Sequence, residues 1–199
     1  MLDRLRGTHP EADASCSVAC SVAWANLRWR YPHARTILIT GASSRDDASV
    51  AALGLAEAAG RLDSSSVPVI VLDSASQDRH ELDSPGSSVR VIRASSPAQV
   101  RSTLSSGGEK FGFAIVVAPA PQKGPDCISV AYAADVAILV ARSGRTRFGE
   151  AQLAAQLLRQ AGLPIAAALL LTRSTLRSKK SWEGGDKRLL GHAEGIAEN

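Results

Sequence analysis

Residues 36–50 read Thr-Ile-Leu-Ile-Thr-Gly-Ala-Ser-Ser-Arg-Asp-Asp-Ala-Ser-Val. An apolar strand, Ile37-Leu38-Ile39, runs into a turn of small residues, and a helix is expected to begin near Ala48. Strand, loop and helix in this order form the frame of a phosphate-binding loop. The chemistry requires glycines, so that backbone N–H groups can close around the oxyanion, and a lysine to reach the outer phosphates. Gly41 is present, but Arg45, Asp47 and Ala48 hold the other places. Asp46 and Asp47 put negative charge where phosphates would sit, which repels them. Ser49 can still offer a hydroxyl to magnesium. Asp73, at the end of the apolar run Pro68-Val69-Ile70-Val71-Leu72, is a further carboxylate, equally readable as a metal contact or as a loop-capping acid.

Other chemistry-bearing residues are few. The three cysteines, Cys16, Cys20 and Cys127, are an odd number and make no disulfide framework. Cys16 and Cys20 stand four apart on an expected helix, where small buried residues are the plain reading. A zinc site needs two more ligands, and neither His9 nor His33 has the spacing to supply them. No metal site is therefore expected, with Ser49 and Asp73 the only weak candidates. The charge of +4 is uneven: between Arg142 and Arg188 the basic side chains far outnumber Glu150, Glu183 and Asp186. Such a tail is either a solvated surface or a contact for an anionic membrane. No aromatic-interleaved basic motif marks a nucleic-acid partner.

The elements that position these residues follow from hydropathy. The chain has 199 residues, 45% hydrophobic and only 4% aromatic, so Ala, Val, Leu and Ile carry the core. Short aliphatic runs of this kind suit strands buried on both faces of a parallel sheet. The pattern predicts a helix over 13–30 with Val18, Val22, Ala25 and Trp29 near one apolar face, ended by Pro32. It predicts strands at 36–40, 68–72, 89–93, 111–117, 136–140 and 164–171. Helices are expected at 48–60, 97–104, 125–133 and 147–161, the last with Leu153, Leu157 and Leu158 on its apolar face. Strands alternating with helices imply an α/β fold, three-layer and doubly wound around a mostly parallel sheet. Residues 1–12 read as a lead-in, 13–173 as one domain, and 174–199 as a basic tail expected to be mobile. No run is apolar enough to span a bilayer and the N-terminus has no signal core, so a cytoplasmic location is expected.

Two resemblances compete. Thr40-Gly41-Ala42-Ser43-Ser44 resembles the opening turn of the short-chain dehydrogenases, which would imply an NAD(P)-binding protein with Arg45 reading a 2′-phosphate. That family's next glycines fall at Arg45 and Asp47, and its Tyr-x-x-x-Lys is absent, since Tyr132 is followed four places on by Val136. Residues 18–172, in contrast, resemble the cytoplasmic domain of the bacterial tyrosine kinases and polysaccharide chain-length regulators, a branch of the ParA/MinD-like P-loop ATPases. The similar pieces are Ala25-Asn26-Leu27-Arg28, the strand ending in Asp73, the strand Phe111 to Pro119, the segment Ala133 to Thr146, and Ala161 to Thr172.

In this register the Walker A lysine is replaced by Ala48, the Walker B aspartate by Val117, and the adenine-contacting asparagine by Thr172. The kinases' C-terminal tyrosine cluster is missing, because the only tyrosines are Tyr31 and Tyr132. Their ring-forming Glu-x-x-Arg-x-x-Arg positions hold Val18, Ser21 and Trp24, a more apolar surface able to bind another partner. The resemblance implies a P-loop-NTPase-like domain without catalytic residues, its vacated nucleotide site marked by Gly41, Arg45, Asp47, Ala48, Ser49, Asp73, Val117 and Thr172. No cofactor is then expected, and Mg-ATP only if the site still functions. The implied role is a protein–protein module in surface polysaccharide biosynthesis or export. Its partner would be an integral-membrane chain-length regulator or a related kinase, which would hold it at the inner membrane. An active ATPase or kinase using Ser49, Asp73 and Arg45 or Arg145 is the alternative within the same family.

Overall fold

The computed structural model describes residues 12–46, 48–63, 67–72, 89–107 and 112–172. Asp47, Asp73, the lead-in and the basic tail lie outside the described residues. Among the described residues six strands form one parallel sheet in the order β3-β2-β4-β1-β5-β6. They are β1 (Thr36–Gly41), β2 (Pro68–Leu72), β3 (Arg90–Ala94), β4 (Ala114–Ala118), β5 (Val136–Arg142) and β6 (Ile165–Leu171). The helices are α1 (Ala12–Arg30), α2 (Ser49–Asp63), α3 (Pro97–Gly107), α4 (Pro125–Ala131) and α5 (Phe148–Gln160). A 3-10 turn over Pro121–Lys123 leads into α4. The α/β, three-layer, doubly wound architecture is as the alternation implies.

The central strands are apolar throughout because both faces are covered. Ile37 and Ile39 of β1, with Val69, Val71, Ile115 and Val117, pack beneath α1 and α2. Leu38, Ile70, Val116 and Ala118 point the other way, against Val100 of α3, Cys127 and Val130 of α4, and Leu158 of α5. Burial on both faces removes the polar alternation that a one-sided sheet would show.

The expected apolar face of α1 is corrected by the structure. Cys20, Trp24 and Leu27 are buried, whereas Val18, Val22 and Trp29 are 64%, 55% and 85% exposed. Both stripes have apolar residues at helical spacing, so periodicity alone cannot choose between them. Trp24 decides it. Its indole N–H donates to Asp63 Oδ2 of α2 at 3.1 Å. Its ring meets Phe113 edge-on, with centroids 5.2 Å apart. The guanidinium of Arg28 covers the Phe113 ring at 4.3 Å and lies 3.7 Å from Asp63. A tryptophan is well buried where its N–H finds a partner, and this site supplies one. On α5 the inward residues are Ala154 and Leu158, while Leu153 is 47% exposed, so the expected apolar face is rotated by part of a turn.

Cys20 and Cys127 are buried thiols. Burial pushes the Cys127 thiol up to about 11 from 9.0; a hydrogen bond with Thr40 pulls it down and the nearby Asp126 charge adds to the rise. A folded-state value above the unfolded one gives stability that is full below pH 9 and is lost as pH climbs through 11. Relative to Cys127→Ala, the wild-type domain is expected to lose on the order of 2–3 kcal/mol over that window. Urea unfolding of both proteins at pH 8 and pH 11 checks this, and parallel pH profiles would refute it.

Candidate functional site

β1 lies between β4 and β5. From β1 the chain crosses to β2 on one side, and it later returns to lay β5 and β6 on the other. The carboxyl ends of β4, β1 and β5 therefore frame the switch-point crevice where open α/β sheets bind ligands. Three connections meet there: 42–48 after β1, 119–124 after β4, and 143–147 after β5.

The first connection closes on itself. Ala42 N–H continues the ladder to Val140 O at 2.7 Å, and Asp46 N–H donates to Ser43 O at 3.1 Å. The Asp46 carboxylate turns inward and accepts from Ser43 N–H at 2.9 Å. Arg45 N–H donates to Ser43 Oγ at 3.3 Å. From the third connection, the Thr146 hydroxyl donates to the same carboxylate, 2.9 and 2.8 Å from its two oxygens. Thr146 Oγ1 in turn accepts from Arg142 N–H at 2.7 Å. The amides of Ala42, Ser43, Arg45 and Asp46 are thus directed at acceptors within the protein, and the central anion is a side chain of the loop itself.

The second connection fastens the crevice from the other side. Gln122 Nε2 donates to Ala42 O at 3.0 Å and to Glu150 O at 2.8 Å, joining the loop after β1 to the first turn of α5. Thr40 Oγ1 donates to Pro119 O at 2.8 Å. Two buried polar atoms of this region, Gln122 Oε1 and Arg142 Nε, have no partner among the described residues.

Gly41 is the one glycine the loop cannot lose. A Cβ there would stand 2.6 Å from Asp46 O and 2.9 Å from Ser43 O, both backbone atoms. Gly41→Ala must push the turn open, and overpacking of this sort typically costs about 1–3 kcal/mol. The expected result is a lowered urea midpoint with an unchanged m-value; a midpoint equal to wild type would contradict this geometry.

The remaining sequence-derived positions are placed as follows. Ala48 and Val117 are buried in one apolar cluster with Ile39, Ala52 and Val71. Val117 sits in the middle of the sheet, paired with Ile39 on one side and Val71 on the other. Ser49 is the first residue of α2 and is buried. Arg45 and Arg145 are exposed, and Thr172 is exposed just past β6, at the far side of β5. The structure brings together Gly41, the turn carrying Arg45, and Ser49. It adds Thr40, Gln122 and Thr146, which the sequence reading did not assign to the site. Among the described residues no group of three or more His, Cys, Asp or Glu side chains could hold a metal. A shallow depression along the outer side of α5, near Phe148, Ala155 and Arg159, lies on one helix only.

The strand order β3-β2-β4-β1-β5-β6 inserts β4 between β2 and β1, unlike the 3-2-1-4-5-6 order of dinucleotide-binding sheets. Solved structures agree. The kinase domain of the Escherichia coli tyrosine kinase ETK superposes with a TM-score of 0.64 at 20% identity, over 78% of this chain and 75% of that chain. The chain shares the three-layer α/β fold of that domain. The VpsO kinase domain gives a TM-score of 0.61 at 15% identity, over 80% of this chain and 97% of that one. A ParA family ATPase from Chlorobium tepidum TLS gives 0.52 at 16%, over 69% and 72%. No protein-family model and no curated protein matches the sequence. What these likenesses show is the fold: three layers around a parallel sheet, consistent with P-loop NTPase architecture.

Proposed function

We propose that this domain is a catalytically inactive relative of the bacterial tyrosine kinase and chain-length-regulator domains, acting as a protein–protein module in surface polysaccharide biosynthesis or export. The observation that carries the reading is the Asp46 carboxylate in the middle of the loop after β1, held by Ser43 N–H and the Thr146 hydroxyl. A P-loop keeps those amides for phosphate oxygens. Here a fixed negative charge takes the Ser43 N–H, and an incoming phosphate meets repulsion instead of a donor. The positions of the family's lysine and aspartate, Ala48 and Val117, are apolar core. Without a placed cation and a metal-holding acid, phosphoryl transfer loses the electrostatic stabilisation on which it depends.

Among the described residues no helix is long and apolar enough to cross a membrane. The domain would work in the cytoplasm, at the inner membrane through an integral-membrane partner. Deleting the gene in its host and measuring the amount and length of the surface polysaccharide tests the role. A shift in either, restored by the wild-type gene, is the expected result; an unchanged polymer would overturn it. Incubating the purified protein with radiolabelled ATP tests the inactivity, which label on tyrosine would disprove.

A further inference from the structure

The two edges of the sheet are built differently. β3, at one edge, carries Arg90 and Arg93 among its five residues. Charged side chains on an edge strand keep other chains from pairing with it. β6, at the other edge, reads Ile-Ala-Ala-Ala-Leu-Leu-Leu, with no charge and no proline in seven residues. Its register irregularity against β5 lies at its start, so residues 167–171 run regularly. Leu171 O accepts from Ser143 N–H at 2.9 Å. Successive residues of a strand turn their backbone groups to opposite sides, so Leu169 also faces β5 while Ala168 and Leu170 turn N–H and C=O outward. On that side neither has a hydrogen-bond partner among the described residues. Their side chains are uncovered too: Ala168 is exposed and Leu170 is 64% exposed. We infer that this edge pairs antiparallel with the same edge of a second copy of the chain, joining two sheets into one across a two-fold axis at Ala168.

The chemistry of the edge selects the occupant. A row of alternating backbone donors and acceptors is matched along its length by another extended chain, not by lipid or by a helix whose own groups are already paired. That chain needs an open edge of its own and uncharged side chains to lie beside Ala168 and Leu170. The rest of this sequence supplies no such segment. Residues 1–11 and 173–199 contain no three apolar residues in succession, and residues 73–88 join β2 to β3 at the opposite edge. The inner strands are paired on both sides and β3 is charged, so β6 of a second copy is the strand on the page that meets both needs. Pairings that use β3 fail by the same rule. β3 against β3 brings the arginines of both copies onto one ribbon, where they repel. β3 against β6 lays arginines along an apolar strand and repeats head to tail without closing. In the β6 pair Leu170 stands opposite Ala166 and Leu169 opposite Ala167, so each large side chain meets a small one and no like charges face each other. One ribbon of this length is a small contact, so the dimer is expected to be concentration-dependent.

Sedimentation equilibrium of the full chain from micromolar to submillimolar concentration is the test. The expected result is a mass that rises from monomer toward twice that value and no further. Ala168→Pro removes only an N–H that β5 does not use, and proline is tolerated on edge strands for that reason. It should weaken association about tenfold or more, since each copy loses one donor, and leave the circular dichroism spectrum unchanged. Leu170→Lys places a charge on the edge without touching the backbone and should do the same. Raising the wild-type concentration should slow amide exchange at Ala168 and Leu170 and leave Leu169, already turned to β5, unmoved. Three results would overturn the inference: a chain monomeric at every concentration, a dimer that both variants leave intact, or masses that climb past the dimer. The edge would then belong to another protein's strand, the contact to another face, or the pairing to β3 and β6 in open succession.

Discussion

Replacing Val117 by aspartate, which restores the acid expected at the end of the Walker B strand, should unfold or nearly unfold the domain at neutral pH. Val117 is fully buried and paired on both sides, by Ile39 and Val71. Its side chain packs in the apolar cluster that also holds Ala48. A lone carboxylate there has no cation among the described residues of that cluster, and burial of an unpaired charge raises its pKa by as much as 3–5 units. The sign follows from linkage: the folded-state value lies above the unfolded one near 3.9, so the charge penalty is absent below about pH 4 and grows as pH rises. At about 1.4 kcal/mol per pH unit, the loss reaches about 4 kcal/mol by pH 7, added to the lost valine packing. That is a large part of the roughly 5–15 kcal/mol available to a domain. Urea unfolding from pH 4 to pH 7 should show the variant falling steadily behind wild type. Equal stability at pH 7 would mean that the crevice can still host an ionised acid, and would weaken the case for a vacated site.

Trp24→Ala should be the next most damaging change. It removes the largest fully buried side chain among the described residues, the edge contact with Phe113 and the indole donor to Asp63. Aromatic-to-alanine changes in cores cost about 3–5 kcal/mol. Trp24→Phe keeps most of the volume and loses the hydrogen bond, worth about 1 kcal/mol. The difference separates packing from polar tethering, and circular dichroism is the appropriate probe because the change removes a fluorophore. If Trp24→Ala unfolded at the wild-type midpoint, α1 would not be part of the folded domain, and the exposure of its opposite face would lose its meaning.

These two residues also show what the chain makes legible. The strand at Val117 is plain from its uninterrupted apolar run, since a strand buried on both faces needs no alternation and invites none. Strand and helix positions follow from the same logic to within a few residues. Trp24 is harder, because α1 has two apolar stripes and the choice rests on contacts with Asp63 and Phe113, 39 and 89 positions away. The site is harder still. Asp46 reads in sequence as a charge that repels phosphate, and in the structure it is the loop's own anion. Its hydroxyl partner, Thr146, is 100 residues distant, and Gln122 reaches across 80 residues to Ala42. Local patterns locate a loop after a strand; they do not reveal which distant side chain completes it.

Isothermal titration of the full chain with Mg-ATP tests the central claim most directly, because it asks whether the loop after β1 accepts a nucleotide while Asp46 holds the Ser43 N–H and the Thr146 hydroxyl. The account predicts heats indistinguishable from dilution up to millimolar ATP, and no release of phosphate. Saturable micromolar binding accompanied by hydrolysis would contradict it.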